Sequence, residues 1–142
     1  MEELYELRSY IEQGRYADAL VLLGEMEEMS RDDKINKIGS FLEILLLHLI
    51  KRHAEKRTTR SWDISIRNAV EQITFVNKRR KAGGYYLTAE DLREVIAERF
   101  PNALRLASLE SFEGVYDAAQ LAEMVDDEQI KEQAFRLIQE AQ

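Results

Sequence analysis

The stretch Phe41-Leu42-Glu43-Ile44-Leu45-Leu46-Leu47-His48-Leu49-Ile50 is more apolar than any other part of the chain. It belongs to a stripe of apolar residues at helical spacing, and neighbouring apolar side chains widen this stripe beyond one helix face. The residues of the stripe are Ile35, Ile38, Leu42, Leu45 and Leu49. The run is too short to cross a bilayer, and Glu43 and His48 interrupt it. Since a helix this apolar must be surrounded by other helices, we predict a buried central helix over about residues 30–55, with Leu45 and Leu49 fully buried.

Both ends of the predicted central helix carry helix-terminal signals. The hydroxyl of Ser30 can cap the backbone N–H of Asp33, and acidic residues suit the positive end of a helix. Five cations occupy the last turns and the following loop, where they suit the negative end of the helix dipole. They are Lys51, Arg52, Lys56, Arg57 and Arg60. We therefore predict that this helix begins at Ser30.

The other segments of the chain also have helical patterns. The 142 residues are 45% hydrophobic and 33% charged, with a single proline, as expected for one soluble helical domain. The pattern predicts that Gly14 ends a first helix, that a helix from Trp62 runs to about Ala82, and that Pro101 breaks the helix that starts after Thr88. Further helices are predicted over residues 16–29 and 101–107 and from residues 117 and 127. The sequence thus predicts an all-α, single-domain helical bundle of six to eight helices over residues 1–142.

The composition excludes several kinds of chemical site. Without cysteine, the chain can form neither disulfides nor thiolate metal sites. The two histidines, His48 and His53, stand about 140° apart around a helix, so they cannot bind one metal ion from the same face. No Glu-x-x-His pair, glycine-rich phosphate loop or nucleophile motif occurs. We therefore predict no catalytic, cofactor-binding or metal-binding residue and no cofactor, and we rank an enzyme third among the possible functions. The acidic N-terminus does not resemble a signal peptide, so we expect a cytoplasmic protein.

Charge is distributed unevenly along the chain. Residues 1–50 carry 5 basic and 11 acidic side chains, residues 51–81 carry 10 and 3, and residues 82–142 carry 5 and 13. The basic middle segment offers two interpretations: a surface for the phosphate groups of a polyanion, or a surface that pairs with acidic side chains of the chain itself or of a partner. For the second interpretation, residues 117–128 are the expected acidic surface. The candidate residues are Lys51, Arg52, Lys56, Arg57, Arg60, Lys78, Arg79, Arg80 and Lys81.

One family resemblance runs through the segment from Leu22 to Ile73. A leucine-rich helix ends in His48-Leu49-Ile50-Lys51, and Ser61-Trp62-Asp63-Ile64-Ser65-Ile66-Arg67 follows. With Glu25, Met29, Ser30-Arg31, Lys34 and Ser40, these residues resemble the bacterial, largely cyanobacterial domain-of-unknown-function family twenty-nine. The resemblance implies a small all-helical fold and no particular activity. It divides the domain into a family-like core, residues 1–82, and a divergent C-terminal part, residues 83–142, in which the Pro-rich, acidic ending expected of the family is not recognisable.

Four residues of the resemblance are structural candidates: His48, Ser61, Trp62 and Arg67. For His48, the alternatives are a proton carrier or ligand and a core histidine bonded to a neighbouring helix. For Trp62, they are a stacking platform and a core anchor at the start of an amphipathic helix. In both cases the packing role is the more common one, and we favour it.

These observations favour a binding function. The leading prediction is a non-enzymatic helical protein-interaction module, which binds another protein or a second copy of itself through helix faces. A last helix from Asp127 without an obvious packing partner supports a homodimer. The alternative is a nucleic-acid-associated protein that binds polyanions through residues 51–81. No membrane contact and no small-molecule substrate are expected, and the sequence does not identify the partner or the pathway.

Overall fold

The computed structural model describes residues 2–79 and 82–142. In chain order the elements are α1 (Glu2–Glu12), α2 (Tyr16–Glu55), α3 (Arg60–Asn77), α4 (Ala89–Glu110), a 3₁₀ turn (Ser111–Gly114), α5 (Ala118–Glu123) and α6 (Asp127–Ala141). No β-strand forms in these two ranges, although one isolated antiparallel bridge joins Lys78 and Tyr85. The all-α prediction is confirmed. The chain divides into two compact units, Met1–Lys34 and Ile35–Gln142, and α2 supplies residues to both.

Helix α2 is longer than the sequence predicts. It runs for 40 residues from Tyr16 to Glu55, so the predicted start at Ser30 is wrong. Ser30 is exposed inside the helix, and residues 25–29 before it contain neither glycine nor proline. An exposed serine or aspartate lowers helix propensity only slightly, so the local capping signal is too weak to interrupt the helix. The predicted end of the helix is confirmed, with Arg52 and His53 in the last turn and Lys56 in the left-handed conformation (φ 54°) just after it.

The core of the unit Ile35–Gln142 is built around the second half of α2. Six of its side chains are fully buried, and they include the predicted Leu45 and Leu49. The six are Ile38, Leu42, Leu45, Leu46, Leu49 and Ile50. Glu43, which interrupts the apolar run, accepts a hydrogen bond from Arg99 of α4 (Nη1 to Oε1, 3.0 Å). The polar interruption is therefore an ion pair at the edge of the core.

Helix α3 ends earlier than predicted, at Asn77 and not near Ala82. Asn77 is almost completely buried, and its Oδ1 accepts a hydrogen bond from the backbone N–H of Leu87 (2.8 Å). Its carbonyl oxygen accepts another from Tyr86 (2.8 Å). These bonds hold the chain in a tight reversal instead of a further helical turn, so Lys78 and Arg79 follow the helix and are not part of it. Arg80 and Lys81 lie outside the described residues.

Helix α4 continues through Pro101, against the prediction of a break. A proline cannot donate the backbone hydrogen bond to the residue four positions earlier, here Ala97. Both residues are exposed, so water can bind the carbonyl oxygen of Ala97 in its place. The start of α4 agrees with the sequence, because Thr88 and Asp91 form a reciprocal capping box.

The C-terminal helices pack within the unit Ile35–Gln142. Helix α5 contacts α4, and α6 contacts both α3 and α4. Ile130, Ala134 and Ile138 of α6 have no exposed surface. The last helix therefore has packing partners in its own chain, and the reason given for a homodimer does not apply. The dimer itself stays a prediction.

The unit Met1–Lys34 buries little. Among the described residues 2–34, only Ala19 and Leu22 are buried. As predicted, α1 ends just before Gly14, which has φ 73°, and the backbone N–H of Arg15 bonds the carbonyl of Tyr10 (2.8 Å). Leu23 and Met29 of α2 are exposed.

Candidate functional site

The seven basic candidate residues that the structure describes do not form one surface. Helix α3 separates them, because Lys51 to Arg60 precede or open it, whereas Lys78 and Arg79 follow its last residue. Its 18 residues span about 27 Å at 1.5 Å per residue. The structure thus brings together only the first five candidates, at the junction of α2 and α3. We call residues 51–63 the α2–α3 corner.

The side chain of Trp62 lies at the centre of this corner. The ammonium group of Lys51 is 4.6 Å from the indole ring centroid, and the guanidinium carbon of Arg57 is 4.7 Å from it. Cations at such distances are attracted by the negative face of an aromatic ring. The ring is half-buried, and the backbone N–H of Trp62 bonds the hydroxyl of the N-cap Thr59 (3.1 Å). Trp62 therefore holds two cations in place, and it is neither part of the hydrophobic core nor among the half-buried side chains packed against it.

Lys51 is the most buried cation of the corner. Only 8% of its side chain is exposed, and its Nζ lies 3.1 Å from Oε1 of Glu110 at the end of α4. An ammonium group removed from water needs such a partner, since an unpaired buried charge is strongly unfavourable. Lys51 is thus a structural residue that joins the His-Leu-x-Lys segment, the Trp62 ring and α4. No local pattern in the sequence indicates Glu110 as the partner, because it is 59 positions away.

The remaining cations of the corner differ in how well they are paired. Arg57 donates two hydrogen bonds to Oε1 of Glu55 (3.0 and 3.2 Å), and Arg52 lies 3.8 Å from Oδ1 of Asp63. Within the described part of the chain, Lys56 and Arg60 have no ion pair or side-chain hydrogen bond. The acidic partners observed are thus Glu55, Asp63 and Glu110, and none comes from residues 117–128.

An open cleft of about 440 Å³ lies against the corner. Its lining consists of three cations, one imidazole and one hydroxyl-bearing side chain: Arg52, His53, Lys56, Arg57 and Thr58. No carboxylate is among these lining residues. The Thr58 hydroxyl donates its proton to Oδ1 of Asp63, so it cannot donate a hydrogen bond to a ligand in the cleft at the same time. Chemically, the cleft can attract and hold an anion.

A second cleft, of about 650 Å³, lies between the end of α2 and α6. His53 borders both clefts, and its Nε2 donates to Oε1 of Gln133 (3.0 Å). Glu132, also in the lining, accepts a hydrogen bond of 2.6 Å from Arg93 of α4. That hydrogen bond lowers the pKa of Glu132 below its ordinary value and raises the pKa of Arg93. The second cleft has mixed charge, and nothing in its geometry selects an anion or a cation.

The other structural candidates lie apart from this cluster. His48 is half-buried, and its Nδ1 donates to the carbonyl of Ile44 in its own helix (2.8 Å), so the predicted bond to a neighbouring helix is wrong. Ser61 and Arg67 are exposed on α3. The spacing of Asp63 and Arg67 allows an ion pair along the helix, but Asp63 is engaged by Arg52 and Thr58.

The N-terminal unit carries the largest concentration of exposed apolar side chains. Tyr16, Leu20 and Leu23 recur at positions i, i+4 and i+7 of α2, and they are 64%, 69% and 39% exposed. Residues at this spacing lie on one helix face. The unit exposes five further large apolar side chains: Leu4, Tyr5, Ile11, Val21 and Met29. This surface was not among the predicted sites, although the spacing of Tyr16, Leu20 and Leu23 is visible in the sequence.

Residues 2–79 and 82–142 contain no group of three or more His, Asp or Glu side chains placed to hold a metal ion. They also contain no helix that is long and apolar enough to cross a membrane.

Comparison with known proteins gives a match to a family. No curated protein and no solved structure matches the chain. The sequence model of one family matches residues 6–113, a range that extends past residue 82 and includes α3, α4 and the whole α2–α3 corner. The match covers most of the chain and agrees with the resemblance found in the His48–Lys51 and Ser61–Arg67 segments. The chain therefore belongs to the family described as Domain of unknown function DUF29.

Proposed function

We propose that this protein is a non-enzymatic helical interaction module that binds another protein through the exposed apolar face of its N-terminal unit. We call the face formed by Tyr16, Leu20 and Leu23 the hairpin face. The observation that carries the proposal is the exposure of this face. Among the described residues of its own unit, only Ala19 and Leu22 are buried. Contiguous exposed apolar surface is typical of protein-binding sites. Anchors at i, i+4 and i+7 are the spacing by which one helix packs against another.

The charge of the unit supports a basic partner. Residues 1–34 carry 10 acidic and 4 basic side chains, a net charge of −6. A net negative charge on the unit that carries an apolar helix face complements an amphipathic helix with basic flanks and increases its association rate. Two copies of the hairpin face would bring equal negative charges together, so charge disfavours a symmetric homodimer through this face. The partner we propose is therefore a protein with an exposed basic amphipathic helix.

Designed peptides test this proposal directly. A basic amphipathic helical peptide and an acidic peptide with the same apolar face would be labelled and titrated with the protein, with fluorescence anisotropy as the measurement. We expect the basic peptide to bind and the acidic peptide not to bind. Leu20→Ser should abolish binding with little change in stability, since the side chain is 69% exposed. Leu109→Ser, at a 66% exposed leucine in the other unit, is the matched control and should bind normally.

Two results would contradict the proposal. Binding of the basic peptide that is unchanged in Leu20→Ser would place the interaction elsewhere. Light scattering that shows a dimer of the 16.6 kDa chain, converted to a monomer by Leu20→Ser, would instead identify a second copy as the occupant of the hairpin face.

A photo-crosslinking amino acid at position 20, compared with one at position 109, would identify the natural partner in cells.

The alternative function, polyanion binding by the whole segment 51–81, has less support. It requires one continuous basic surface, whereas the 18 residues of α3 place Lys78 and Arg79 about 27 Å from the basic residues at the start of the helix. Its most buried member, Lys51, is committed to Glu110. Charge reversal of Lys78 and Arg79, with salt-dependent binding of short RNA as the measurement, would test it.

A further inference from the structure

The cleft at the α2–α3 corner has a lining that suits one class of ligand. Arg52, Lys56 and Arg57 contribute three positive charges, and the lining contains no carboxylate. The cleft has a volume of about 440 Å³ and is open to solvent, so an anionic group can reach these cations. Glu55 and Asp63 pair with arginines of the corner but do not line the cleft. The positive charge on its walls is therefore not neutralised from inside the cleft.

Arg57 is held in a fixed orientation. Its guanidinium group lies over the ring of Trp62, and its Nε and Nη2 both donate to Oε1 of Glu55. The Glu55 side chain is only 11% exposed, whereas that of Arg57 is 56% exposed. The pair thus anchors one edge of the guanidinium and leaves Nη1 for a ligand. A planar, pre-oriented guanidinium is well suited to phosphate oxygens.

Lys56 is placed at the cleft by an unusual backbone conformation. It follows the last residue of α2 with φ 54°, in the left-handed region where helices usually end in glycine. A lysine here keeps the helix-ending conformation and adds an ammonium group to the cleft wall. This group has no partner among the residues that the structure describes. It is therefore available to a ligand without breaking an existing contact.

We propose that this cleft binds the phosphate group of a small phosphorylated molecule, with Lys56 and Arg57 as its principal contacts and Arg52 as the third cation. Arg52 forms an ion pair with Asp63, but the distance of 3.8 Å is too long for a hydrogen bond, so the N–H groups of Arg52 are not donated to that carboxylate. The space left beside a phosphate group accommodates a small organic substituent. The inference goes beyond the proposed protein-binding function and does not depend on it, because the hairpin face lies in the other unit.

A competing role for these cations makes a different prediction. Cations near the end of α2 also interact favourably with the negative end of its dipole. If that were their only role, neutralising Lys56 would lower stability and leave no effect on anions. The substitution Lys56→Gly separates the two roles. Glycine suits the left-handed conformation better than lysine, so the helix end is retained while the ammonium group is removed.

The experiment is a titration of the full chain with inorganic phosphate and pyrophosphate at constant ionic strength, followed by NMR of the backbone amides. We expect both anions to shift the resonances of residues 52–58, with pyrophosphate binding more tightly. In Lys56→Gly the affinity should fall about tenfold, as expected for the loss of one charge-assisted hydrogen bond, while the thermal midpoint stays equal or rises. Lys37→Gln removes an exposed cation of the same helix and should leave the affinity within about twofold.

Three outcomes would overturn the inference. The first is that chloride, at the same ionic strength, produces the same resonance shifts as phosphate. The second is an equal loss of affinity in Lys37→Gln, which would indicate a general charge effect. The third is a short RNA that binds far more tightly than pyrophosphate and shifts Lys78 and Arg79 as well, because the ligand would then be a nucleic acid and not a small molecule.

Discussion

The ion pair between Lys51 and Glu110 should contribute to stability asymmetrically. Lys51 is nearly buried, with 8% of its side chain exposed, whereas Glu110 is 49% exposed. Replacing Glu110 with alanine leaves a buried ammonium group whose remaining described contact is the Trp62 ring. Replacing Lys51 with methionine removes the buried charge, keeps an apolar stem of similar length and leaves a carboxylate that water can reach. We therefore predict that Glu110→Ala destabilises the protein more than Lys51→Met does.

The magnitude follows from the two exposures. Breaking a fully buried pair costs about 3–5 kcal/mol, and an exposed pair contributes about 0–1 kcal/mol. With one partner buried and the other half-exposed, the loss in Glu110→Ala should be about 2 kcal/mol. Glu110 is the last residue of α4, where removing a negative charge returns about 0.5 kcal/mol through the helix dipole. The net loss of unfolding free energy should be about 1.5 kcal/mol, against less than about 0.5 kcal/mol for Lys51→Met.

Urea denaturation of the two single variants and the double variant provides the assay. Trp62 is the only tryptophan of the chain and lies in the α2–α3 corner. Its fluorescence therefore reports unfolding of the unit Ile35–Gln142, and circular dichroism is the second probe. A loss of about 1.5 kcal/mol lowers the urea midpoint by about 0.7 M for a slope near 2 kcal/mol/M. In the Lys51→Met background only the helix-dipole effect remains, so Glu110→Ala should raise the unfolding free energy by about 0.5 kcal/mol, which gives a coupling energy of about 2 kcal/mol. A coupling near zero, or a larger loss in Lys51→Met than in Glu110→Ala, would refute the reasoning.

Three further predictions concern the core, the α3 reversal and the effect of pH. Leu49→Ala should lower the unfolding free energy by about 2–5 kcal/mol, since Leu49 is fully buried; an unchanged urea midpoint would show that α2 is not the core helix. Asn77→Ala should cost about 1–3 kcal/mol because the buried N–H of Leu87 loses its acceptor, and hydrogen exchange at that amide should accelerate. Because the pKa of Glu132 is lowered in the folded state, its ionised carboxylate stabilises the fold above the ordinary pKa of 4.5. This stabilisation is lost as the pH falls through the lowered pKa of the folded protein. Arg93→Gln should remove that part of the pH dependence below about pH 4.5 in acid-unfolding curves, and an identical curve would contradict it.

Local signals in the sequence determined where α4, α5 and α6 begin and where α1 and α2 end. The capping boxes of α4 and α5 depend on side chains three residues apart, and both form as the sequence indicates. The helix stop at Gly14 depends on one backbone conformation that glycine adopts freely. The apolar run from Phe41 to Ile50 likewise specified a buried helix, because a helix that is apolar on most sides has no other stable environment. These features need only short-range information.

Tertiary structure decided the features in which weak local signals compete with packing or solvent exposure. Ser30 can cap a helix, yet α2 continues through it, and Pro101 lies inside α4 because water can bind the carbonyl that it leaves free. Asn77 ends α3 only through its hydrogen bonds to Tyr86 and Leu87, which the chain reversal brings into reach.

The arrangement of the charges also depended on tertiary structure. The sequence presents residues 51–81 as one basic segment, but the length of α3 separates its ends, and Lys51 is paired with Glu110 of another helix. Composition fixes how many cations a segment carries. Their distances and their partners are set by where helices end and how they pack, and a charge acts over a short range in water. The sequence by itself therefore determined the helical class, the family and the buried helix, whereas only the fold decided which cations face the corner cleft and which apolar side chains of the N-terminal unit remain exposed.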